Sequence, residues 1–419
     1  MSATVATAPD TVYFDTVSLR LLGNDLTLSV DNGSWCLETP DGPIRFAGSG
    51  LAVPPTLSRL VRAYTRDDDL VAVARVGGTT ELHAVLDHRI ARSPRPPDDS
   101  ARGVVLRYLR AQIAALAAAD LGARQDQPDA VHRMRVATRR LRGVFSAYAR
   151  VLGGRRLLKA LSDELRWLGG ELGPARDVEV QWARSRPWAE ERTDACFAVL
   201  SEEARERARR ALDGRRYLQL LTALDVLEVV LSEKPRQQWP KVARRPAERV
   251  LPHLARAVAE KVAARVSGVA ARPAGPERDR AVHGVRKAAK RLRYALEAGA
   301  EALPVDAKPA VRAFQDLLGE FQDAVVAREL LSALEVADGT LAAVRAQETA
   351  IADRCVAALP DAWRDLRRAL CPLWTQRRRH EGRKSFAEGP NAAILGGGEL
   401  VRSGEAGPKW PVKLRFDGG

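Results

Sequence analysis

Aromatic residues make up only 5% of the 419 residues. That scarcity argues against an aromatic-rich β protein and for helices packed through alanine, leucine and valine. The four cysteines, Cys36, Cys196, Cys355 and Cys371, are widely separated and form no CxxC, and none of the six histidines lies at metal-ligand spacing from one of them. A zinc site is therefore not expected, and a reducing compartment is. No uninterrupted apolar run approaches about 18 residues, so no membrane-spanning helix is expected. The start, MSATVATAPDTVYFD, lacks the basic and apolar regions of a signal peptide, which fits a cytoplasmic protein.

What is abundant is positive charge. The formal net charge is +14, from 67 Lys and Arg against 53 Asp and Glu. Such a balance points to a polyanionic partner: nucleic acid, an anionic membrane surface or an inorganic polymer. A GC-rich genome would also enrich arginine everywhere, so the location of the charge has to decide.

Three textures follow one another. Residues 1–90 read as β-like, with alternating runs such as LTLSV and LVAVARV between NG, DG and GG turn signals. Residues 91–99, ARSPRPPDD, read as a proline-rich linker. From 100 to 376 the periodicity is helical, in halves of about 100–235 and 240–376. The Gly-rich, aliphatic-poor stretch 377–419 reads as a disordered tail carrying RRRHEGRK.

The helical region contains one string twice. Residues 131–142 are VHRMRVATRRLR and residues 282–293 are VHGVRKAAKRLR. Downstream, Leu172, Gly173 and Asp177 recur as Leu318, Gly319 and Asp323 at nearly constant offset. A tandem duplication predicts two similar helical halves related by a pseudo-two-fold axis. Pro128 and Pro276 stand where a first-turn proline would start each copy. Asp177 and Asp323 read as first-turn caps of the helices after Leu-Gly rather than as acid–base groups.

At about 100° per residue, Met134, Ala137, Leu141, Phe145 and Tyr148 form one face of the first copy. His132, Arg135 and Arg139 lie opposite, flanked by Arg140 and Arg142. In the second copy Val285, Ala288, Leu292 and Leu296 form the apolar stripe. His283, Arg286 and Lys290 lie opposite, flanked by Arg291 and Arg293. Each twelve-residue string carries five Lys or Arg and no acid. A solvated face gains from mixed signs at i,i+4 and loses from like charges, so the repeated self-repulsion argues for a bound polyanion. Arginine's planar donor fork suits phosphate. A histidine among these cations would stay neutral until phosphate oxygens arrive. Taken singly, His132 and His283 are read equally well as helix-start packing or caps.

These strings, with ELGPARDVEV and RRYLQLLTAL, resemble the signature of the CHAD family (conserved histidine α-helical domain) over about residues 100–375. The resemblance implies a mainly α fold of two pseudo-symmetric four-helix bundles, facing each other across a basic groove that binds inorganic polyphosphate without catalysis or cofactor. His132, Arg135, Arg139, Arg140 and Arg142 would line it from one half, and His283, Arg286, Lys290, Arg291 and Arg293 from the other. Association with polyphosphate granules is one expectation that comes with it.

Residues 1–90 are similar to part of a CYTH (triphosphate tunnel metalloenzyme) domain, through VYFDT, LRLLGNDLTL, WCLETP and VPPTLSRLVRA. The family's ExExK motif is absent. Ser29, Val30 and Asp31 stand where it has arginines, and Glu38 stands where it has lysine. The segment therefore reads as a small β-rich, degenerate partial domain without metal or phosphate ligands, too short for a closed eight-stranded tunnel.

Two other functions compete. RNA-backbone binding fits the charge, although no aromatics interleave the basic helices for base stacking and no base-reading motif is evident. A metal-dependent triphosphatase would need converging carboxylates in 1–90, where the acids are scattered, as in RDDDL at 66–70.

Overall fold

Strands β1 (Thr11–Asp15), β2 (Thr27–Asp31), β3 (Ser34–Thr39), β4 (Gly42–Ala47) and β5 (Val71–Val76) form an antiparallel sheet in the order β4-β3-β2-β1-β5. The computed structural model describes residues 11–31, 33–48, 50–89, 99–185, 191–333 and 339–375. The 91–99 linker, except Asp99, and the 377–419 tail lie outside the described residues.

Alternation sets the sheet's faces. Val12, Phe14, Leu28, Val30, Trp35 and Leu37 point into one core, with the Phe14 and Trp35 rings 4.8 Å apart. Helices α1 (Pro55–Leu60) and α2 (Arg62–Thr65) cover that face through Leu57, Leu60, Val61 and Ala63. On the other face Tyr13, Leu19 and Leu22 pack against Leu82 and Leu86 of α3 (Thr79–Leu86). The buried Asp15 carboxylate accepts from the backbone N–H groups of Thr16, Leu21 and Leu22 at 2.7–2.9 Å, which fixes the turn after β1.

The helical region begins with α4 (Ala101–Arg124), α5 (Ala130–Ala147), α6 (Ala149–Leu152), α7 (Arg155–Glu171), α8 (Gly173–Ser185), α9 (Glu191–Asp213) and α10 (Arg215–Glu233). It ends with α11 (Ala247–Ala270), α12 (Pro276–Ala298), α13 (Lys308–Ala333) and α14 (Gly339–Ala369). The halves correspond as α4 to α11, α5 to α12, α7–α8 to α13, and α9–α10 to α14. Two four-helix units result. Their entries pair antiparallel: Ala101 N–H donates to Arg245 O at 2.9 Å and Ala247 N–H to Asp99 O at 2.8 Å. No helix among the described residues is long and apolar enough to cross a membrane.

One core runs from the sheet through α4, α5, α7 and α10 to Leu251, and a second fills the later half from Ala255 onward. The sheet therefore shares its interior with the first bundle. Ionic contacts reinforce this junction. Arg66 grips Asp225 of α10 with Nε and Nη2 at 2.9 and 2.8 Å, and Arg20 reaches the same carboxylate at 3.1 Å.

Three local expectations need correction. Pro276 is the first residue of α12, but Pro128 precedes α5 by two residues, and Asp129 in a left-handed conformation (φ 58°) makes the entry. Asp177 is the fifth residue of α8 and Asp323 lies deep inside α13, so neither caps a helix start. The cause is Pro174, whose ring and missing N–H break the first copy at Leu172. Gly319 has no proline after it, and α13 runs straight through. Leu296 is only partly buried, whereas Tyr294 beside it is fully inside.

Candidate anion-binding cleft

The two repeated helices meet face to face. At their crossing Gly143 of α5 lies under Tyr294 of α12, and a Cβ at position 143 would come within 2.5 Å of the Tyr294 Cβ. Tyr148 Oη donates to Ala295 O at 2.6 Å across the same joint. The apolar stripes look into their own bundles, with Met134, Ala137, Leu141, Val285, Ala288 and Leu292 all buried. The basic sides of the two helices consequently converge.

Beside the crossing is a cleft of about 810 Å³ whose lining includes Arg139 and Arg142 from α5 and Lys287, Lys290 and Arg291 from α12. Helix α7 adds Arg155, Lys159 and Arg166, and Asp163 is the sole acid among the described residues of the lining. Asp163 is occupied by Lys159 at 3.1 Å and Arg166 at 2.5 Å. Among the described residues no salt bridge reaches Arg139, Arg142, Lys290 or Arg291, and the Arg139 Nε is buried with no hydrogen-bond partner.

Crowding of like charge leaves its mark on proton affinities. Burial first, then Arg286, Arg139, Arg293 and Arg135, pushes the Lys290 ammonium down to about 8. Two of these cations lie on its own helix and two on the other copy, so the halves share one electrostatic site. Burial, with Arg166 and Arg291, lowers the Arg142 guanidinium. Burial also lowers Arg135, with Arg139 and Arg176 acting the same way against Asp177. These shifts record the free-energy cost of burying cations, with neighbouring cations adding to it.

The remaining sequence candidates divide into three groups. Arg135 and Arg286 each donate from Nη1 to a backbone carbonyl, Gly169 and Leu318, both at 3.4 Å. A Cβ at Gly173 would meet the Arg135 Nη1 at 2.9 Å, so glycine there leaves room for this guanidinium in its present position. Arg140 and Arg293 are held together by Glu297, at 2.9 and 3.1 Å, and Tyr108 Oη donates to the same carboxylate at 3.2 Å. These two arginines share one carboxylate across the joint between halves.

The two histidines differ from each other. His132 is kept below the ordinary histidine value by burial and then by Arg176, Arg139 and Arg135, against Asp129. His283 instead uses Nδ1 to donate to Gln322 Oε1 at 2.7 Å and lines a separate cavity of about 1100 Å³ with Arg280 and Arg345.

Sequence reasoning missed the α7 cations. Their signal was readable: Arg155, Lys159, Ser162 and Arg166 recur at intervals of four, three and four, one helical stripe. It also missed Glu297, which stands just past the acid-free string.

A family model described as CHAD domain matches residues 107–332. Uncharacterized proteins from two strains of Mycobacterium tuberculosis are each 33% identical, over 86% of this chain and 90% of the relative. The crystal structure of the CHAD domain from the plant Ricinus communis shares the fold at a TM-score of 0.50 and 22% identity, covering 65% of this chain and 96% of that one. PptA from Streptomyces chartreusis aligns at a TM-score of 0.48 and 20% identity, over 63% of this chain and 99% of that one. With the duplicated histidine–arginine helices packed at the centre of two four-helix units and the family match spanning them, this chain belongs to the CHAD domain family.

Proposed function

We propose that the protein binds inorganic polyphosphate in the cleft between α5 and α12 and performs no chemistry on it. The observation that carries this reading is the set of cations from both halves, Arg139, Arg142, Lys290 and Arg291, which no acid neutralises among the described residues. A linear polyanion of closely spaced charges meets such a row with many charge-assisted contacts and releases counterions as it binds. Titrating the protein with long-chain polyphosphate and with RNA of matched charge tests it. Polyphosphate should bind more tightly at every salt concentration; equal or tighter RNA binding defeats the reading.

Lys290 makes the binding proton-coupled. In the free protein its ammonium loses a proton near pH 8. Bound phosphate favours the charged form, so the complex holds that proton to higher pH and binding takes up a proton above pH 8. Affinity for long-chain polyphosphate should therefore fall as pH rises from 7 to 9.5, by at most about tenfold per pH unit for one proton. Lys290→Met should bind more weakly at pH 7 and lose most of the slope. A slope unchanged by Lys290→Met assigns the proton elsewhere.

We read residues 1–90 as a degenerate CYTH-like segment without activity. Its buried acid, Asp15, is spent on backbone N–H groups, and Glu38 accepts from the Cys36 thiol at 3.4 Å. Incubation of the full chain with tripolyphosphate and Mg²⁺ or Mn²⁺ should release no phosphate above a no-protein control. Metal-dependent release that disappears in a Glu38→Ala, Asp15→Ala variant would reverse this assignment.

A further inference from the structure

The cleft contains a nucleophile as well as cations. Lys290 lines its wall, half-buried, where the charged groups facing it are Arg286 and Arg293 from α12 and Arg135 and Arg139 from α5. Lys287 and Arg291 line the same cleft. With its ammonium pushed down to about 8, roughly a tenth of Lys290 is free amine at pH 7, against roughly one part in 2,500 for an ordinary lysine. A neutral amine attacks carbonyl carbon; an ammonium does not. Within the same cleft Arg139, Arg142 and Arg291, which no acid pairs among the described residues, offer guanidinium forks to a phosphate.

We propose that Lys290 is a self-acylation site for small acyl phosphates, whose phosphate seats on the cleft arginines while the Lys290 amine attacks the adjoining carbonyl carbon. The new bond is N–C. The C–O bond to phosphate breaks and inorganic phosphate leaves with the electron pair. The proton lost by the amine goes to solvent, and no redox partner is needed. The resulting amide is uncharged, so acylation deletes a cation that both halves surround. Acylation thus weakens polyanion binding, and a bound polyanion shields Lys290 from acylation. The inference rests on the cleft's being a phosphate site.

The test uses the full-length folded protein, acetyl phosphate at pH 7.5 as probe, and peptide mass spectrometry to read acetyl occupancy over time. Lys287, exposed and one turn earlier on the same helix, and Lys159, exposed on α7, are internal references. Lys290 should be acetylated at least about tenfold faster than either, from its larger amine fraction. Tripolyphosphate should suppress the Lys290 signal, and Arg139→Ala with Arg142→Ala should remove the preference. With acetic anhydride, which carries no phosphate to seat on the arginines, the lead of Lys290 over Lys159 and Lys287 should shrink to what its larger amine fraction alone gives. Equal rates at the three lysines with acetyl phosphate overturn the proposal, as does a Lys290 preference that persists undiminished with the anhydride. A parallel polyphosphate titration separates the two readings. Polyphosphate binding with an unreactive Lys290 sinks only the acylation site; failure of both sinks the phosphate site itself.

Discussion

Alanine at both Arg139 and Arg142 is expected to weaken polyphosphate binding by about 10²–10⁴-fold. The range follows from roughly 1.5–3 kcal/mol for each charge-assisted hydrogen bond, at about 1.4 kcal/mol per decade. Lys290→Ala with Arg291→Ala should act similarly, because α12 supplies the other part of the same cleft. Either pair should also flatten the dependence of log affinity on log salt, since fewer counterions are released. Arg207→Ala with Arg210→Ala removes the same charge from α9. Those arginines already face Glu171 at 2.8 Å and Glu206 at 3.8 Å, so their loss should matter little. Isothermal titration on variants with unchanged helix content by circular dichroism gives the comparison. If the α9 pair weakens binding as much as the cleft pairs, the attraction is diffuse and the cleft has no special part in it.

Trp35→Ala should destabilise the protein by about 3–5 kcal/mol, the usual cost of emptying a buried tryptophan site. Trp35 is fully buried against Phe14. Because the sheet core continues into α4 and α10 without a break, the loss should not stay local. Helical ellipticity and hydrogen-exchange protection of the β-strand amides should be lost together, and at lower temperature than in the parent. Two separated transitions, with the helical one unmoved, would show that residues 11–89 fold independently of the bundle.

The duplicated helix was legible because it breaks a rule twice. An acid-free string on an amphipathic helix conflicts with ordinary surface energetics, and its recurrence predicts the two halves. Burial of Met134, Leu141, Val285 and Leu292 follows from 3.6-residue periodicity alone. What stayed hidden was set by contacts distant in sequence. Glu297 pairs with Arg140 from 157 residues away, and no local pattern marks it as the partner. The break at Leu172 and its absence at Leu318 turn on one proline. Leu-Gly looked like a helix boundary in both copies, yet in α13 the helix tolerates Gly319. The junction of sheet and bundle was also invisible: Asp225 reads as an ordinary helix-surface acid until Arg20 and Arg66 arrive from the sheet side.

The close approach at Gly143 also bears on how a cleft that takes polyanions, as proposed, would discriminate between them. With no space for a Cβ between α5 and Tyr294, and with the Tyr148 bond and the Glu297 clamp spanning the joint, the two cation rows cannot slide or part without breaking packed contacts. They behave as a caliper locked at one opening. Fit must then come from the polymer. A chain with free rotation about every P–O–P link can shift its charges to match a locked gauge. A double helix holds its phosphates at intervals fixed by base stacking and resists bending over about 150 base pairs. If the cleft takes a polyanion as proposed, rigidity on the protein side would act as selectivity for the more pliable polymer.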